Sequence, residues 1–256
     1  MKRIAIVGGA GRMGQVLLAG LGAVADFAVV ALVDVTAPAE LAGASHVTSV
    51  DGLEPASVDV VVDFSTPEGA VASARWCAEH AVALVIGTTG LSEDERSEVQ
   101  RCAGSTAIVM ATNFSLGVGL QQRFAAMAAP YFDRVEIIEL HHDRKVDAPS
   151  GTSLTTARAI AEARRGAGLA PLVDPTSRHS IEGTRGGDGA DGVRIHSVRL
   201  PGLVSHQEVL FGGPGEGLTI RHDSFDRLSF VQGVVLAVHA IGTTPGLTEG
   251  IDSLVP

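Results

Sequence analysis

Short apolar stretches alternate with amphipathic ones through the first half of the chain. The apolar stretches predict β-strands at residues 3–7, 28–33, 58–63, 83–86 and 107–110. The amphipathic stretches between them predict helices at residues 12–21, 67–79 and 93–102. Strands and helices that alternate with short connections are typical of a parallel sheet covered by helices on both faces. The first half therefore predicts a Rossmann-like, doubly wound α/β domain.

The pattern changes in the second half. A helix at 116–129 precedes a strand that begins at residue 134, and a second helix covers 154–163. A glycine-rich loop at 171–192 and three successive extended segments follow, at 193–200, 204–211 and 218–222, and then a last helix at 225–239. Strands that follow one another without helices predict a second α+β domain with a mixed or antiparallel sheet. We expect residues 1–112 and 223–256 to form the first domain and residues 113–222 the second.

Composition and charge narrow the class of protein. Hydrophobic residues make up 45% of the 256 residues but aromatic residues only 4%, as suits β-branched strands buried on both faces. The net charge is −10 and the cations are scattered, so we expect no nucleic-acid partner. No apolar run is long enough to span a membrane, so we expect no membrane partner and a soluble, cytoplasmic protein. Cys77 and Cys102 lack metal-ligand spacing, and we predict that they are buried packing residues and that the protein holds no metal.

A glycine-rich turn follows the first predicted strand. Gly9, Gly11 and Gly14 form a GxGxxG pattern that opens the first helix, where backbone N–H groups can bind a pyrophosphate. Asp34 ends the second strand about twenty residues later, where an acid can bind the adenosine ribose. The alternative is a nucleotide-free turn with a surface aspartate. Two further turns follow strands of the same sheet, Gly87-Thr88-Thr89 and Ala111-Thr112-Asn113-Phe114, and predict the nicotinamide side of the site, unless they are ordinary βα turns.

The segment from Glu139 to Thr152 concentrates chemistry at a strand-to-helix junction. It contains His141, His142 and Lys145, and its Ser150-Gly151-Thr152 turn opens a helix whose free N–H groups suit a carboxylate. Alternation along a strand would point the two histidines to opposite faces. Each residue also has a structural interpretation, as a strand-end histidine, a solvated lysine or a helix cap. Asp143 and Asp147 are expected to shape the turn or neutralise the cations.

These motifs resemble the dihydrodipicolinate reductase family over essentially the whole chain. The segment Glu-Leu-His-His-x-x-Lys-x-Asp-Ala-Pro-Ser-Gly-Thr matches the family signature, and the glycine loop, Gly-Thr-Thr-Gly and Asn-Phe-Ser support it in the right order. The resemblance implies that residues 1–112 and 223–256 form a dinucleotide-binding domain and that residues 113–222 form a substrate-binding and oligomerisation domain. It also implies a homotetramer built through the second-domain sheets. It implies that His141 is an acid/base residue and Lys145 a proton donor, that His142, Ser150, Gly151 and Thr152 bind substrate, and that the cofactor contacts Gly8, Gly9, Ala10, Gly11, Arg12, Met13, Asp34, Gly87, Thr88, Thr89, Ala111, Thr112, Asn113 and Phe114.

The resemblance implies reduction of 4-hydroxy-tetrahydrodipicolinate, a small cyclic dicarboxylate, in the diaminopimelate route to lysine. We expect NADH and NADPH both to serve, with a lean to NADH, because Asp34 repels a 2′-phosphate and Val35 offers no cation there. Arg12 could bind that phosphate instead. Two alternatives stay open. Another NAD(P)-dependent dehydrogenase of an amino-acid-derived imine or semialdehyde need not keep the dicarboxylate site, and a dinucleotide-sensing regulator would bind NADH without turnover.

Overall fold

The computed structural model describes residues 1–255, which divide into two compact units. The first contains residues 1–116 and the chain from Arg227 onward, and the second Gly117–Asp226. The functional boundaries that the sequence predicts, after residues 112 and 222, stay a prediction.

The first unit is built on a seven-stranded sheet in which every strand pair is parallel. The strands are β1 (Lys2–Val7), β2 (Phe27–Val33), β3 (Ser45–Val47), β4 (Val60–Asp63), β5 (Ala83–Ile86), β6 (Ala107–Met110) and β12 (Gly246–Glu249). Their order in the sheet is β12-β6-β5-β4-β1-β2-β3. Order reverses between β1 and β4, and the carboxyl ends of these two strands form the usual ligand crevice of such sheets.

Helices cover both faces of this sheet, because its strands are apolar on both sides. On β1, Ile4 and Ile6 pack with α1 (Arg12–Gly22) and α6 (Val231–Ala240), whereas Ala5 and Val7 face the cluster that contains α2 (Pro67–His80) and α3 (Glu93–Cys102). Cys77 and Cys102 lie buried in that second cluster, as predicted. The predicted doubly wound α/β class is confirmed.

The second unit has a mixed five-stranded sheet of order β11-β10-β7-β9-β8. Its strands are β7 (Arg134–His141), β8 (Gly187–Asp188), β9 (Arg194–Arg199), β10 (Ser205–Gly213) and β11 (Glu216–Ser224). Only β7 and β9 pair in parallel, while the other neighbours are antiparallel. Its helices are α4 (Leu116–Ala128) and α5 (Gly151–Gly166). One sheet face packs on these helices through Val135, Ile137, Val209, Ala157 and Ile160, and the predicted second α+β fold is confirmed.

Four elements differ from the sequence-based prediction. The edge strands β3 and β12 were not predicted, and the predicted loop at 171–192 contains the two-residue β8. The last helix was predicted from residue 225, which is wrong at its N-terminal end. Residues Arg227–Phe230 form a 3-10 turn and α6 begins at Val231. Phe225 and Leu228, whose spacing extended the apolar pattern, are 75% and 61% exposed.

Candidate active site

The glycine-rich turn after β1 has a backbone path that only glycine allows. Gly8 has φ +81°, and a Cβ there would lie 2.4 Å from the carbonyl oxygen of Phe64. A Cβ on Gly14 would lie 2.2 Å from the oxygen of Gly8, so helix α1 packs against the turn through its missing side chain. Gly11 is the N-cap of α1 and has no side chain to occupy the first N–H groups. Those groups stay available to an anion, as the motif predicts.

A cavity of about 460 Å³ lies beside this turn within the first unit. Its wall includes Gly8, Gly11 and Asp34, together with residues that follow β3 and β4. Asp34 accepts hydrogen bonds from the backbone N–H of Ala10 (3.0 Å) and of Thr36 (3.0 Å), which fix its carboxylate at the cavity edge. The volume suits part of a dinucleotide, and the turn leaves room for its phosphates, so the residues of this half fit the predicted cofactor.

The turn after β5 holds its two threonines differently. The Thr88 hydroxyl is buried, donates to Asp63 (2.6 Å) and accepts from the backbone N–H of Ser65 (2.8 Å). Asp63 is fully buried, and this burial raises its pKa against the lowering effect of hydrogen bonds from Ser73, Thr88 and Ser65. The Thr88 hydroxyl is therefore occupied inside the protein, whereas Thr89 is exposed.

The turn after β6 is closed by its own asparagine. The Oδ1 atom of Asn113 accepts a hydrogen bond from the backbone N–H of Ser115 (2.8 Å), and Ala111 and Phe114 are buried. Gly87 shows a close approach between neighbouring turns, since a Cβ there would lie 2.1 Å from the ring of Phe64. Together these contacts fix the backbone of both predicted nicotinamide-side turns.

In the second unit, His141 is the last residue of β7. Its Nδ1 lies 2.5 Å from Glu139 Oε2, and its Nε2 lies 3.1 Å from the Ser205 hydroxyl of β10. The side chain is only 12% exposed. Both ring nitrogens therefore have defined partners.

His142 and Lys145 lie beyond the end of β7, so strand alternation does not set the direction of His142. The backbone N–H of Lys145 donates to the carbonyl of His142 (3.2 Å), which makes a tight turn. Within residues 1–255, the buried Nδ1 of His142 has no hydrogen-bond partner. The Lys145 ammonium contacts both carboxylate oxygens of Asp147 at 2.8 Å, and this contact lowers the pKa of Asp147.

Helix α5 begins at Gly151, and Ser150 is its N-cap. The Ser150 hydroxyl accepts from the Ser153 N–H (3.2 Å), while its own N–H donates to Glu139 Oε1 (3.2 Å). Ser150 is thus used inside the protein, which is the capping role that the sequence left open. Gly151 is exposed and Thr152 partly so, and a Cβ on Gly151 would meet nothing within 4 Å. These two residues lie at the N-terminal end of the helix.

Two charged residues outside the predicted site join these parts. Glu139 is fully buried on β7 and accepts from both terminal nitrogens of Arg199 on β9, each at 2.8 Å. Arg199 also donates to the carbonyl of Asp147 (2.7 Å). Burial raises the pKa of Glu139, but hydrogen bonds from His141, Arg199 and Ser197 outweigh it and lower that pKa to about 2. The sequence feature that could have identified Glu139 is its position on the apolar face of the strand, two residues before His141. No feature of the sequence near Arg199 indicates that it belongs to the site.

Neither a metal site nor a membrane-spanning helix is found in the described part of the chain. Among residues 1–255, no group of three or more histidine, cysteine or acidic residues is placed to hold a metal ion. Over the same residues, no helix has the length and apolar character needed to cross a membrane.

Comparison with known families decides the relationship. The family profile described as dihydrodipicolinate reductase, N-terminus, matches residues 2–114, and the one described as dihydrodipicolinate reductase, C-terminus, matches residues 117–254. The chain belongs to the dihydrodipicolinate reductase family. The resemblance that the motifs predicted is thereby confirmed, and with it the assignment to the oxidoreductases.

Relatives of this reductase family match over nearly the full length. The 4-hydroxy-tetrahydrodipicolinate reductase of Nocardia farcinica is 45% identical over 253 residues, covering 98% of this chain and 97% of the relative. That of Corynebacterium diphtheriae is 41% identical over 253 residues, with the same coverage. The dipicolinate-bound dihydrodipicolinate reductase from Paenisporosarcina sp. TG-14 has a TM-score of 0.86 and 36% identity over the whole of both chains. A myo-inositol dehydrogenase from Corynebacterium glutamicum, 16% identical with a TM-score of 0.61 over 96% of this chain and 90% of the other, shares the fold alone.

Proposed function

We propose that the protein reduces 4-hydroxy-tetrahydrodipicolinate to tetrahydrodipicolinate with NADH or NADPH, in the diaminopimelate route to lysine. The observation that carries the proposal is the junction of β7 and α5, where a histidine, a lysine and a helix N-terminus follow one another within twelve residues, from His141 to Thr152. Relatives that carry this activity in their names match nearly the full chain.

The first unit would hold the cofactor. Gly8 to Met13 would surround the pyrophosphate, Asp34 would bind the adenosine ribose, and the turns at 87–89 and 111–114 would contact the nicotinamide half. After the 4-hydroxyl of the substrate has left as water, the bound cofactor would supply a hydride to C4 of the resulting conjugated imine. Because the Thr88 hydroxyl is occupied by Asp63 and Ser65, we assign Thr88 a contact through its backbone, and Thr89 the exposed hydroxyl.

The second unit would hold the two carboxylates of the substrate. Gly151 and Thr152 offer backbone N–H groups at the start of α5, where an anion is favoured. Ser150 would support this end as its cap rather than by direct contact, since both of its polar groups have partners. The buried, unpartnered Nδ1 of His142 gives that residue a free polar atom for the substrate.

His141 and Lys145 would supply the proton and stabilise the developing charge. Reduction of a conjugated imine builds negative charge toward the ring nitrogen, so a positioned acid must neutralise it. One of the two residues would donate the proton and the other would stabilise the charge. Asp147 holds the Lys145 ammonium through both of its oxygens, and a substrate carboxylate would compete with it for that cation.

The cavity of the first unit favours NADH over NADPH. Two carboxylates, those of Asp34 and Asp51, lie among its lining residues, and these lining residues include no lysine or arginine. A 2′-phosphate placed there would meet like charge, while the two hydroxyls of an NADH ribose could donate to Asp34. Arg12 is exposed in the glycine turn and could still serve NADPH. We therefore propose that both cofactors are used, with the larger kcat/KM for NADH.

An aliphatic face of the second-unit sheet supports a homotetramer. Opposite the face that packs on α4 and α5, Ile138, Leu140, Val198 and Leu210 are only partly buried. Partly exposed aliphatic sheet faces are typical of subunit interfaces. Light scattering should give four times the monomer mass of 26.3 kDa, and Ile138→Lys should lower it. A monomeric wild-type protein would contradict the assembly.

A coupled assay tests the reaction itself. The product of dihydrodipicolinate synthase is supplied with NADH and NADPH in parallel, and cofactor oxidation is followed. We expect turnover with both cofactors and competitive inhibition by pyridine-2,6-dicarboxylate. Thr152→Val should raise KM for the substrate several-fold while kcat changes little. Cofactor binding without turnover would favour a sensing protein, and turnover of other imines without inhibition by the dicarboxylate would favour a different dehydrogenase.

A further inference from the structure

Glu139 occupies a position where the strand pattern calls for an apolar residue. On β7, Val135 and Ile137 point into the core of the second unit, and Glu139 follows them on the same face with no exposed surface. A buried carboxylate costs free energy unless charged groups and hydrogen-bond donors surround it. A buried carboxylate at this position therefore indicates a role beyond packing.

The contacts of Glu139 divide between its two oxygens. Oε1 accepts from Arg199 Nη2 (2.8 Å) and from the backbone N–H of Ser150 (3.2 Å). Oε2 accepts from Arg199 Nη1 (2.8 Å) and from His141 Nδ1 (2.5 Å). Arg199 balances the charge, so the carboxylate can stay ionised inside the protein.

This arrangement defines the state of the His141 ring. An ionised carboxylate only accepts hydrogen bonds, so Nδ1 must carry a proton whenever it faces Glu139. In the neutral ring, Nε2 is then the basic nitrogen, and it accepts from the Ser205 hydroxyl at 3.1 Å. Proton exchange with any substrate must therefore occur at Nε2.

We propose that Glu139, held by Arg199, is a positioning residue that fixes the Nδ1–H tautomer of His141 and directs its proton exchange through Nε2. The catalytic part of this proposal rests on the proposed function, whereas the tautomer does not. Through the Ser150 N–H, the same carboxylate also holds the cap of α5, and Arg199 holds the loop of Lys145 through the carbonyl of Asp147 (2.7 Å). One buried ion pair thus ties together the three parts of the candidate site.

The contacts predict what Glu139→Gln does. At Oε1 neither donor, Arg199 Nη2 or the Ser150 N–H, can give up its proton, whereas at Oε2 only Arg199 Nη1 cannot and His141 can. The amide oxygen therefore takes the Oε1 position and the amide NH₂ faces His141. Nδ1 must then become the acceptor, and the neutral ring carries its proton on Nε2 instead.

Two measurements test this. In wild-type protein labelled with ¹⁵N-histidine, the His141 signals, assigned by their loss in His141→Gln, should show Nδ1 protonated and Nε2 unprotonated once the ring is neutral. In Glu139→Gln the two should exchange. Steady-state kinetics should show a fall in kcat of about 10²- to 10³-fold, with KM for the substrate and the Kd for NADH within about threefold of wild type.

Glu136→Gln is the matched control. Glu136 lies on the same strand and likewise contacts an arginine and a histidine, Arg185 and His196, but it lies outside the candidate site. This variant should keep the wild-type kcat and the wild-type His141 tautomer, and light scattering verifies its assembly. A merely structural ion pair would instead affect both variants through stability alone.

The outcomes separate the two proposals. A wild-type His141 that carries its proton on Nε2 overturns the positioning role, even if Glu139→Gln fails to fold. A folded Glu139→Gln protein with wild-type kcat also overturns it. Absence of turnover by the wild-type protein, combined with the expected tautomers, would remove the proposed function and leave the assignment of Glu139 intact.

Discussion

The charge of Glu139 should make the stability of the second unit depend on pH by an amount that can be worked out. Burial raises the pKa of this carboxyl, but the hydrogen bonds from His141, Arg199 and Ser197 bring it from 4.5 down to about 2. A carboxyl with a lowered pKa stabilises the fold above its unfolded pKa, and this contribution is lost as the pH falls toward 2. The fall corresponds to about 3 kcal/mol at neutral pH.

Between about pH 5.5 and about pH 3.5, about 1 kcal/mol of this contribution should disappear, because the unfolded carboxyl becomes mostly protonated while the folded one stays ionised. This window lies below the ordinary titration range of histidine. Glu139→Gln cannot titrate, so the stability difference between wild type and variant should shrink by that amount. Other acidic groups titrate in both proteins and cancel.

Hydrogen exchange of the β7 amides gives the opening free energy of the second unit alone, which suits a chain with two units that need not unfold together. Ile137→Val is the control, because it removes a buried methylene from the same strand without changing a titratable group. It should cost about 1 kcal/mol at both pH values. If the difference for Glu139→Gln were equal at both pH values, these contacts would not hold the carboxylate ionised, and Glu139 could not fix the His141 tautomer as proposed.

Three further outcomes follow from the candidate site. His141→Ala and Lys145→Ala should each lower kcat by about 10²- to 10⁴-fold with the Kd for NADH unchanged; wild-type-like turnover of either would end its assignment. Gly14→Ala should weaken NADH binding in a calorimetric titration, because the new Cβ would lie 2.2 Å from a backbone oxygen of the glycine turn, whereas Gly22→Ala at the end of the same helix meets nothing within 4 Å and should bind normally. Val35→Arg should move the ratio of kcat/KM values toward NADPH by about tenfold or more, since Val35 is 86% exposed and a guanidinium can pair with the 2′-phosphate; an unchanged ratio would place cofactor selection elsewhere.

The fold was predictable where burial dictates the pattern. β5 and β6 lie at the predicted residues because each is apolar throughout and covered on both faces. The edge strands β3 and β12 could not be found in this way, since Ser-His-Val and Gly-Leu-Thr-Glu have no apolar run and each pairs with only one neighbouring strand. The last helix was extended too far because exposed Phe225 and Leu228 continue its spacing.

The candidate site was predictable only as far as local sequence carries it. His141, His142, Lys145 and the helix start lie within one segment, and their residue types indicate proton transfer and anion binding. Their contacts depend on pairing between strands that are distant in the chain. Arg199 reaches Glu139 because β9 lies parallel to β7, with Arg199 opposite His141. No motif near residue 199 predicts this contact. The residue types of one segment therefore predict the reacting groups, whereas the residues that orient them can be identified only from the strand register.

Glu139 is the exception, because its own strand contains the signal. With Val135 and Ile137 on one face of a strand, alternation makes residue 139 a core position and residue 141 its neighbour on the same face. A carboxylate at such a position can persist only if a cation and hydrogen-bond donors surround it, so the strand pattern indicates a buried partner for Glu139 and places it on the same face as His141. A charged residue that breaks the apolar alternation of a strand next to a candidate acid/base residue is therefore itself a site prediction, and in this chain it identifies the residue that orients the histidine.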